Sequence, residues 1–471
     1  MGWGHFEQDG LSYDYLFSGF SHCVCAFRAL PCPSVAPLKP RKSSVTPTRP
    51  RILFLNRSYW PDSEATGQLL TDLCESIADR FEVHVVCGQP NSDASGGQYR
   101  ASGTSLQNGV TIHRLVHTRF PKRLGSGRIF NLLTFTAATE RYLARTGLQA
   151  DVIISETDPF LLPWVGHRHA GRTGARFVAY LQDVYPDIAI ALGKARDGFV
   201  TRHIRRLLKR AYLAADKVIV LGEDMTARMA GWGVPAERFA VVPNWIDTQA
   251  VAPRKTENRF RSKHALEERF VVMHSGNMGL TQRLENLLAA TRSPDWPEQA
   301  VVALVGDGAA RKNLQTLAES CPAGRVRFFP YQPRESLADS LSAADLHVVS
   351  MDPRITGCLF PSKIYGILAV ATPILMVAPP DSEPARMVVN EQIGWACPPG
   401  EPGQIAARVA AAVADSQARQ AYGRNARALA EANYDRRIAT QKFAEVIDEV
   451  LDRHSPLSPL VRSGTVHGKI V

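Results

Sequence analysis

A chain of 471 residues, 45% hydrophobic and 21% charged, has room for two or three domains and the composition of an ordinary globular protein. A wholly disordered chain, a collagen and a disulfide mini-protein are excluded. Lys and Arg number 55 against 45 Asp and Glu, and the formal charge of +10 predicts an anionic partner: a phosphate ligand, an acidic membrane surface or nucleic acid.

Residues 1–48 are proline-rich towards their end and hold no sustained period; they read as a disordered N-terminal extension or as the product of start-site choice. They show no basic start with an apolar run and cleavage site, so no signal peptide is expected. Phe6 stands where a myristoylation signal needs Ser or Thr. The globular pattern opens at Arg51. Near-continuous apolar runs at 51–56, 82–87, 110–116, 151–155, 176–181 and 217–221 read as parallel strands covered on both faces, with helical patterns such as Thr66–Arg80 and Thr201–Ala215 between them. A charged, proline-containing stretch at 248–263 reads as a linker. The alternation restarts with strands at 270–275, 300–305, 326–330, 345–350 and 373–377, and closes on helical patterns at Gly403–Val413 and Arg419–Asp452. Two such sets predict an α/β protein of two Rossmann-like domains facing across a cleft. The expected division is 49–247 for an acceptor-side domain, 264–432 for a second domain, 433–455 for a terminal helix and 456–471 for a flexible tail.

Eight scattered cysteines form no CxxC pair and no His cluster has zinc-ligand spacing, so no metal or cofactor is expected and the thiols point to the cytoplasm. The longest apolar stretch, 364–380, is short of a bilayer span and is broken by Pro373.

Ligands of open α/β sheets bind beyond the carboxyl ends of the strands, so those loops hold the candidate site. After the first strand, Gly67 and Gln68 stand at a helix start that suits an anion. Glu156 and Asp183 come directly off their strands as carboxylates at the cleft edge, whereas Asp158 and Asp187 are expected to cap the following helices. The loop Gly276-Asn277-Met278-Gly279, with Arg283 close behind, suits a phosphate, and Gly306-Asp307-Gly308 is a second tight turn. Pro361, Ser362 and Lys363 open a helix, with Tyr365 two residues on. A cation at a helix start opposes the dipole, so Lys363 implies an anion beside it.

In order and spacing, the segments Ala65-Thr66-Gly67-Gln68-Leu69-Leu70, Gln182-Asp183-Val184-Tyr185-Pro186-Asp187, Val242-Pro243-Asn244-Trp245-Ile246-Asp247, Gly276-Asn277-Met278-Gly279 and Pro361-Ser362-Lys363-Ile364-Tyr365-Gly366 resemble the GT-B glycosyltransferases of family four. The resemblance spans roughly residues 50–452 and is nearest to the colanic-acid and O-antigen subgroup of fucosyl- and N-acetylfucosaminyltransferases. It implies transfer of a hexosyl or N-acetylhexosaminyl group, with retention, from a UDP- or GDP-sugar held by the C-terminal domain to a lipid-linked saccharide on the N-terminal side, where Gly67, Gln68, Glu156 and Asn244 lie. It also implies a last helix that crosses back to the first domain. Lys363, Arg283 and Asp183 then become the catalytic candidates. The donor candidates are Gly276, Asn277, Gly279, Gly306, Asp307, Gly308, Pro361, Ser362 and Tyr365. Two departures bear on donor recognition: Asn277 and Gln282 stand where the family has an Arg/Lys pair, and Cys358 and Gly366 stand where it has two glutamates. The alternatives on the same fold are a nucleotide-sugar epimerase and a non-catalytic sugar-nucleotide-binding subunit.

The basic excess is local. Arg114, Arg119, Lys122, Arg123, Arg128, Arg141 and Arg145 face one acid, Glu140, and Lys194, Arg196, Arg202, Arg205, Arg206, Lys209, Arg210 and Lys217 face two, Asp197 and Asp216. Either segment reads as a solvated basic surface or as a dock for an anionic membrane surface at the inner face of the cytoplasmic membrane. Aromatics are not interleaved as a stacking platform would need, so no nucleic-acid partner is expected.

Overall fold

The structure, a computed structural model, describes residues 49–62, 64–90, 102–120 and 125–452. The expected disordered extension and flexible tail lie outside the described residues.

Among these residues the first domain holds strands β1 (Arg51–Leu55), β2 (Glu82–Cys87), β3 (Gly103–Gln107), β4 (Val110–Arg114), β5 (Val152–Ser155), β6 (Arg176–Tyr180), β7 (Lys217–Val220) and β8 (Phe239–Val241). The second holds β9 (Phe270–Ser275), β10 (Ala300–Val305), β11 (Val326–Phe329), β12 (Leu346–Ser350), β13 (Ile374–Val377) and β14 (Gly394–Cys397). They form two sheets, ordered β3-β4-β2-β1-β5-β6-β7-β8 and β11-β10-β9-β12-β13-β14. Every pairing is parallel except β3 with β4. Helices cover both faces, so strands such as β10, Ala-Val-Val-Ala-Leu-Val, are buried along their whole length. Strand order reverses at β1 in one sheet and at β9 in the other, which opens a crevice beyond the carboxyl end of each. This is the GT-B architecture of two Rossmann-like domains.

Three strands escape the sequence pattern. Strand β3 is an exposed antiparallel edge without apolar alternation, β8 has three residues, and β14 begins at a glycine. The single helical pattern at Arg419–Asp452 is two helices, Ser416–Asn433 and Arg436–Asp452, parted where the chain recrosses between the domains. There Ile246 bridges Asp435: the Ile246 amide donates to the Tyr434 carbonyl at 3.0 Å and the Arg436 amide to the Ile246 carbonyl at 2.9 Å. Asp435 also accepts the Thr248 hydroxyl at 2.5 Å, so this turn is fixed by the crossing rather than by a local breaker. The helix Arg436–Asp452 then lies on the first domain. It buries Phe443, Ile447 and Val450, with the Phe443 ring 6.2 Å from Phe54 and 5.1 Å from Tyr180. The stretch 248–263 runs against the second domain, where Asn258 donates to the Asp339 carbonyl at 2.8 Å.

The helix Phe199–Ala214 turns Ile204, Leu208, Ala211 and Tyr212 inward and leaves Arg202, Arg206, Lys209 and Arg210 exposed. Three basic residues are not part of such a surface. Arg114 is buried and donates to the Gly88 and Trp60 carbonyls at 2.7 and 2.6 Å; Arg205 pairs with Asp187 at 2.7 Å; Lys217 is buried against Glu449 at 2.8 Å. Lys122 and Arg123 and the side chain of Arg128 lie outside the described residues. Near them Phe120 and Phe130 are exposed, with ring centroids 6.2 Å apart. Among the described residues no helix is long and apolar enough to cross a membrane.

Candidate functional site

A cavity of about 220 Å³ lies between the two domains. From the first domain it is lined by Ala65, Thr66, Leu69, Gln182, Asp183 and Asn244, and from the second by His274, Asn277, Thr281, Gln282, Ser350, Pro361, Ser362 and Lys363, among others. It thus gathers Asp183, Asn244, Asn277, Pro361, Ser362 and Lys363 from the sequence candidates.

Lys363 begins the helix Lys363–Ala369, and its stem lies across Gly276: a Cβ built there would sit 2.7 Å from Lys363 Cε, on a backbone with φ of +120°. That position therefore needs a glycine twice over, for its conformation and for its bare face. Lys363 Nζ donates to the Asn277 carbonyl at 3.3 Å, and among the described residues no carboxylate pairs with it. Burial in the cleft wall pulls its pKa down to about 8. His274, buried beneath the same loop, approaches the Asn277 carbonyl with Nε2 at 3.4 Å. Burial first, then the Lys363 charge, lowers its pKa to about 3, so its imidazole is neutral at pH 7. The helix Ala65–Ile77 points its N-terminus at the opposite side of the cavity, its N-cap residue Glu64 makes no side-chain cap, and the positive dipole end faces the cavity. Lys363 and this helix start make two sources of positive potential flanking one small cavity, suited to an anion between them.

The first-domain wall is fixed by polar contacts. The Thr157 hydroxyl accepts the amides of Gln182 and Asp183, both at 3.2 Å, and so sets the turn after β6. Asn244 and Gln182 exchange amide hydrogen bonds at 2.9 and 3.3 Å, and the Tyr180 hydroxyl donates to Asn244 Oδ1 at 3.3 Å.

Other candidates lie elsewhere. Arg283 is exposed, holds Glu285 at 3.0 Å and Asp352 at 3.7 Å, and is not in the lining. Gly306 and Gly308 serve the loops themselves: Cβ atoms there would meet the Gly276 carbonyl oxygen at 2.1 Å and the Met278 carbonyl oxygen at 2.5 Å. Asp307 is exposed and accepts the Gly308 amide, and Gly279 packs beside Gln282 and Asn277. Tyr365 is buried, its ring 5.1 Å from that of Tyr434. Gly67 backs onto Ser58 and Asp62 within the first domain, and Gln68 bonds Glu64 through its backbone amide. Glu156 is buried away from the cavity lining, with Oε2 lacking a hydrogen-bond partner, and burial followed by Asp158 pushes its pKa well up. Asp158 and Asp187 do not cap helices: Asp158 is held by Arg57 at 2.8 Å and Asp187 by Arg205 and Arg228. A nearby guanidinium outcompetes a backbone amide for each carboxylate. The sequence assigns no role to Gln182 or His274, since each reads as an ordinary strand-end residue until the fold shows what it faces.

Among the described residues no group of three or more His, Cys, Asp or Glu is placed to hold a metal ion.

Comparison with known proteins agrees with this geometry. Residues 65–245 match the glycosyl transferase 4-like domain and residues 255–429 match the glycosyl transferases group 1. "Probable glycosyltransferase WbjE" of Pseudomonas aeruginosa is 28% identical over 69% of this chain and 80% of that protein. WcaI of Escherichia coli strain K12, named for glycosyl transfer in colanic acid biosynthesis, is 26% identical over 68% and 81%. The crystal structure of HepE from Anabaena in complex with UDP-glucose superposes with a TM-score of 0.63 at 19% identity, covering 85% of this chain and all of that one. With both halves matched, the chain belongs to the family-four glycosyltransferases of the GT-B fold.

Proposed function

We propose that this glycosyltransferase moves a hexosyl or N-acetylhexosaminyl group, with retention, from a UDP- or GDP-sugar to a lipid-linked saccharide in exopolysaccharide or O-antigen assembly, docked at the inner face of an anionic cytoplasmic membrane. The observation that carries the reading is Lys363: a lysine without a carboxylate partner among the described residues, in a cleft cavity, opposite the positive end of the helix Ala65–Ile77. A nucleoside diphosphate supplies the missing anion. Lys363 then stabilises the charge that develops as the diphosphate leaves, and Asp183 accepts a hydrogen bond from a sugar hydroxyl across the cleft. Arg283 can assist after leaving Glu285 and Asp352. The UDP-glucose in the HepE complex supports a nucleotide-sugar donor, and the name of WcaI, from colanic acid biosynthesis, supports polysaccharide chemistry. The exposed basic face of the helix Phe199–Ala214 and the Phe120–Phe130 pair support docking on anionic lipid.

A thermal-shift panel of UDP-, GDP- and dTDP-sugars, including fucose and N-acetylfucosamine donors, tests the donor site. Saturation at a hundredfold over Kd adds about 2.7 kcal/mol. Transfer to a lipid-linked acceptor tests the reaction. No shift with any donor removes the reading, binding without transfer points to a non-catalytic subunit, and donor interconversion without acceptor points to an epimerase.

A further inference from the structure

We infer that Arg228 is a positioning residue of the transfer reaction: it clasps the loop 356–358 of the second domain onto the first, and through that loop sets Lys363 opposite Asp183. The inference rests on the function proposed above. Arg228 stands on the helix Glu223–Gly231 of the first domain and does not line the cavity. Its Nη2 donates across the domain boundary to the Thr356 carbonyl at 2.7 Å, while Nη1 is held by Asp187 at 3.1 Å. Asp187 is itself braced by Arg205 at 2.7 Å, so the guanidinium is aimed before it meets the loop.

The next two residues of the loop are seated on the same surface. Gly357 has φ of +73°, and a Cβ there would lie 2.7 Å from the Asp224 carbonyl oxygen, so the two backbones touch at a place that tolerates no side chain. The Cys358 carbonyl accepts the Val184 amide at 2.8 Å. Val184 directly follows Asp183, and Lys363 follows Cys358 by five residues. The clasp therefore joins the two segments that carry the opposed catalytic candidates.

A second contact keeps the boundary closed beside it. Glu383 Oε2 accepts the Asp224 amide at 3.0 Å, and Asp224 Oδ2 accepts the Glu383 amide at 2.7 Å. The helix starts Glu223–Gly231 and Glu383–Asn390 thus supply each other's cap from opposite domains. Arg386 lies 3.2 Å from Glu223 and 3.4 Å from Asp224, and balances the acidic charge gathered there.

The test uses the full chain, with UDP as the binding probe and the best donor from the panel for turnover. R228M removes the clasp from the first domain and G357A forces it apart from the second. Each should lower turnover tenfold or more while the Kd for UDP changes less than threefold. Hydrogen exchange at the Val184 amide should quicken tenfold or more, with β6 peptides unchanged. R228K, which keeps one donor, should recover part of both effects. Unchanged Val184 exchange in both variants overturns the clasp. So does normal turnover in a variant whose Val184 amide has been released, or UDP affinity falling in step with turnover, which would make Arg228 part of the binding wall. Where R228M fails to fold, G357A decides by the same measurements. Absence of transfer in the unaltered chain would refute the proposed reaction, while Val184 exchange still judges the clasp.

Discussion

Replacing Lys363 by methionine should do two opposite things at once. The ammonium's pKa is about 8 in the fold against the usual 10.5, and a gap of that size corresponds to about 3.4 kcal/mol against folding at pH 7 if the side chain were fully enclosed. Lys363 is only partly covered, which reduces this to about 2 kcal/mol. Loss of its contact to the Asn277 carbonyl returns about 1 kcal/mol. The ligand-free variant should thus be more stable by about 1 kcal/mol, a rise in melting temperature of about 2–4 °C for a domain of this size. The folded-state value lies below that of the free side chain, so the penalty is fully present below pH 8 and disappears as the pH rises towards 10.5; the advantage of the variant should fade over that window. Turnover should fall about a hundredfold, the scale for losing one preorganised charge-stabilising group, and the UDP-induced thermal shift should shrink. Calorimetry of the ligand-free and UDP-bound proteins at pH 7 and 9.5, with initial rates at pH 7, reads all of these. A variant that melts lower at pH 7 while keeping near-normal turnover refutes the reasoning, and loss of activity in R283M instead would move the role to Arg283.

Reversing Arg202, Arg206, Lys209 and Arg210 to glutamate leaves the buried stripe of their helix intact, so the melting temperature should hold while flotation on anionic liposomes falls several-fold; unchanged flotation removes docking by this helix. E156Q should stabilise the protein at pH 7, because the raised carboxyl pKa penalises folding above the usual value of 4.5, and the gain should vanish near pH 4 in urea titrations at the two pH values. G306A places a Cβ 2.1 Å from the Gly276 carbonyl oxygen at φ of +131°, and should cost more than about 2 kcal/mol in urea and abolish the UDP shift.

The two sheets were legible because burial on both faces leaves near-continuous apolar runs: β10 carries that mark from end to end, and β9 carries it over its first four residues. Where a strand is an exposed edge, as β3 is, the mark is missing. Lys363 was legible through an electrostatic anomaly that needs no tertiary information, a cation at a helix start. Glu156 and Asp183 leave their strands in the same way, yet one is sealed inside the first domain and the other lines the cavity. Which face of a turn is covered depends on elements far away in the chain, and local pattern does not encode it. Gly306 and Gly308 stand among the donor candidates by sequence, and the fold adds a requirement that the sequence hides: another loop's backbone lies against both. Arg205 and Arg283 counted as free charge until their acidic partners, Asp187 across 18 residues and Asp352 across 69, came into view.

The helix Arg436–Asp452 has a practical consequence for anyone who wishes to take the molecule apart. Phe443, Ile447 and Val450 are the covering of the first domain's core, yet they are encoded after the whole of the second. A cut at the Ile246–Asp435 crossing would therefore yield a first half with a bared apolar face and a second half trailing an orphan amphipathic segment. Isolating either domain calls for a fusion that returns 436–452 to the first by a short connector, or for co-expression of that segment as a separate peptide. During synthesis the first domain likewise waits for the last residues of the helix before its hydrophobic face is closed.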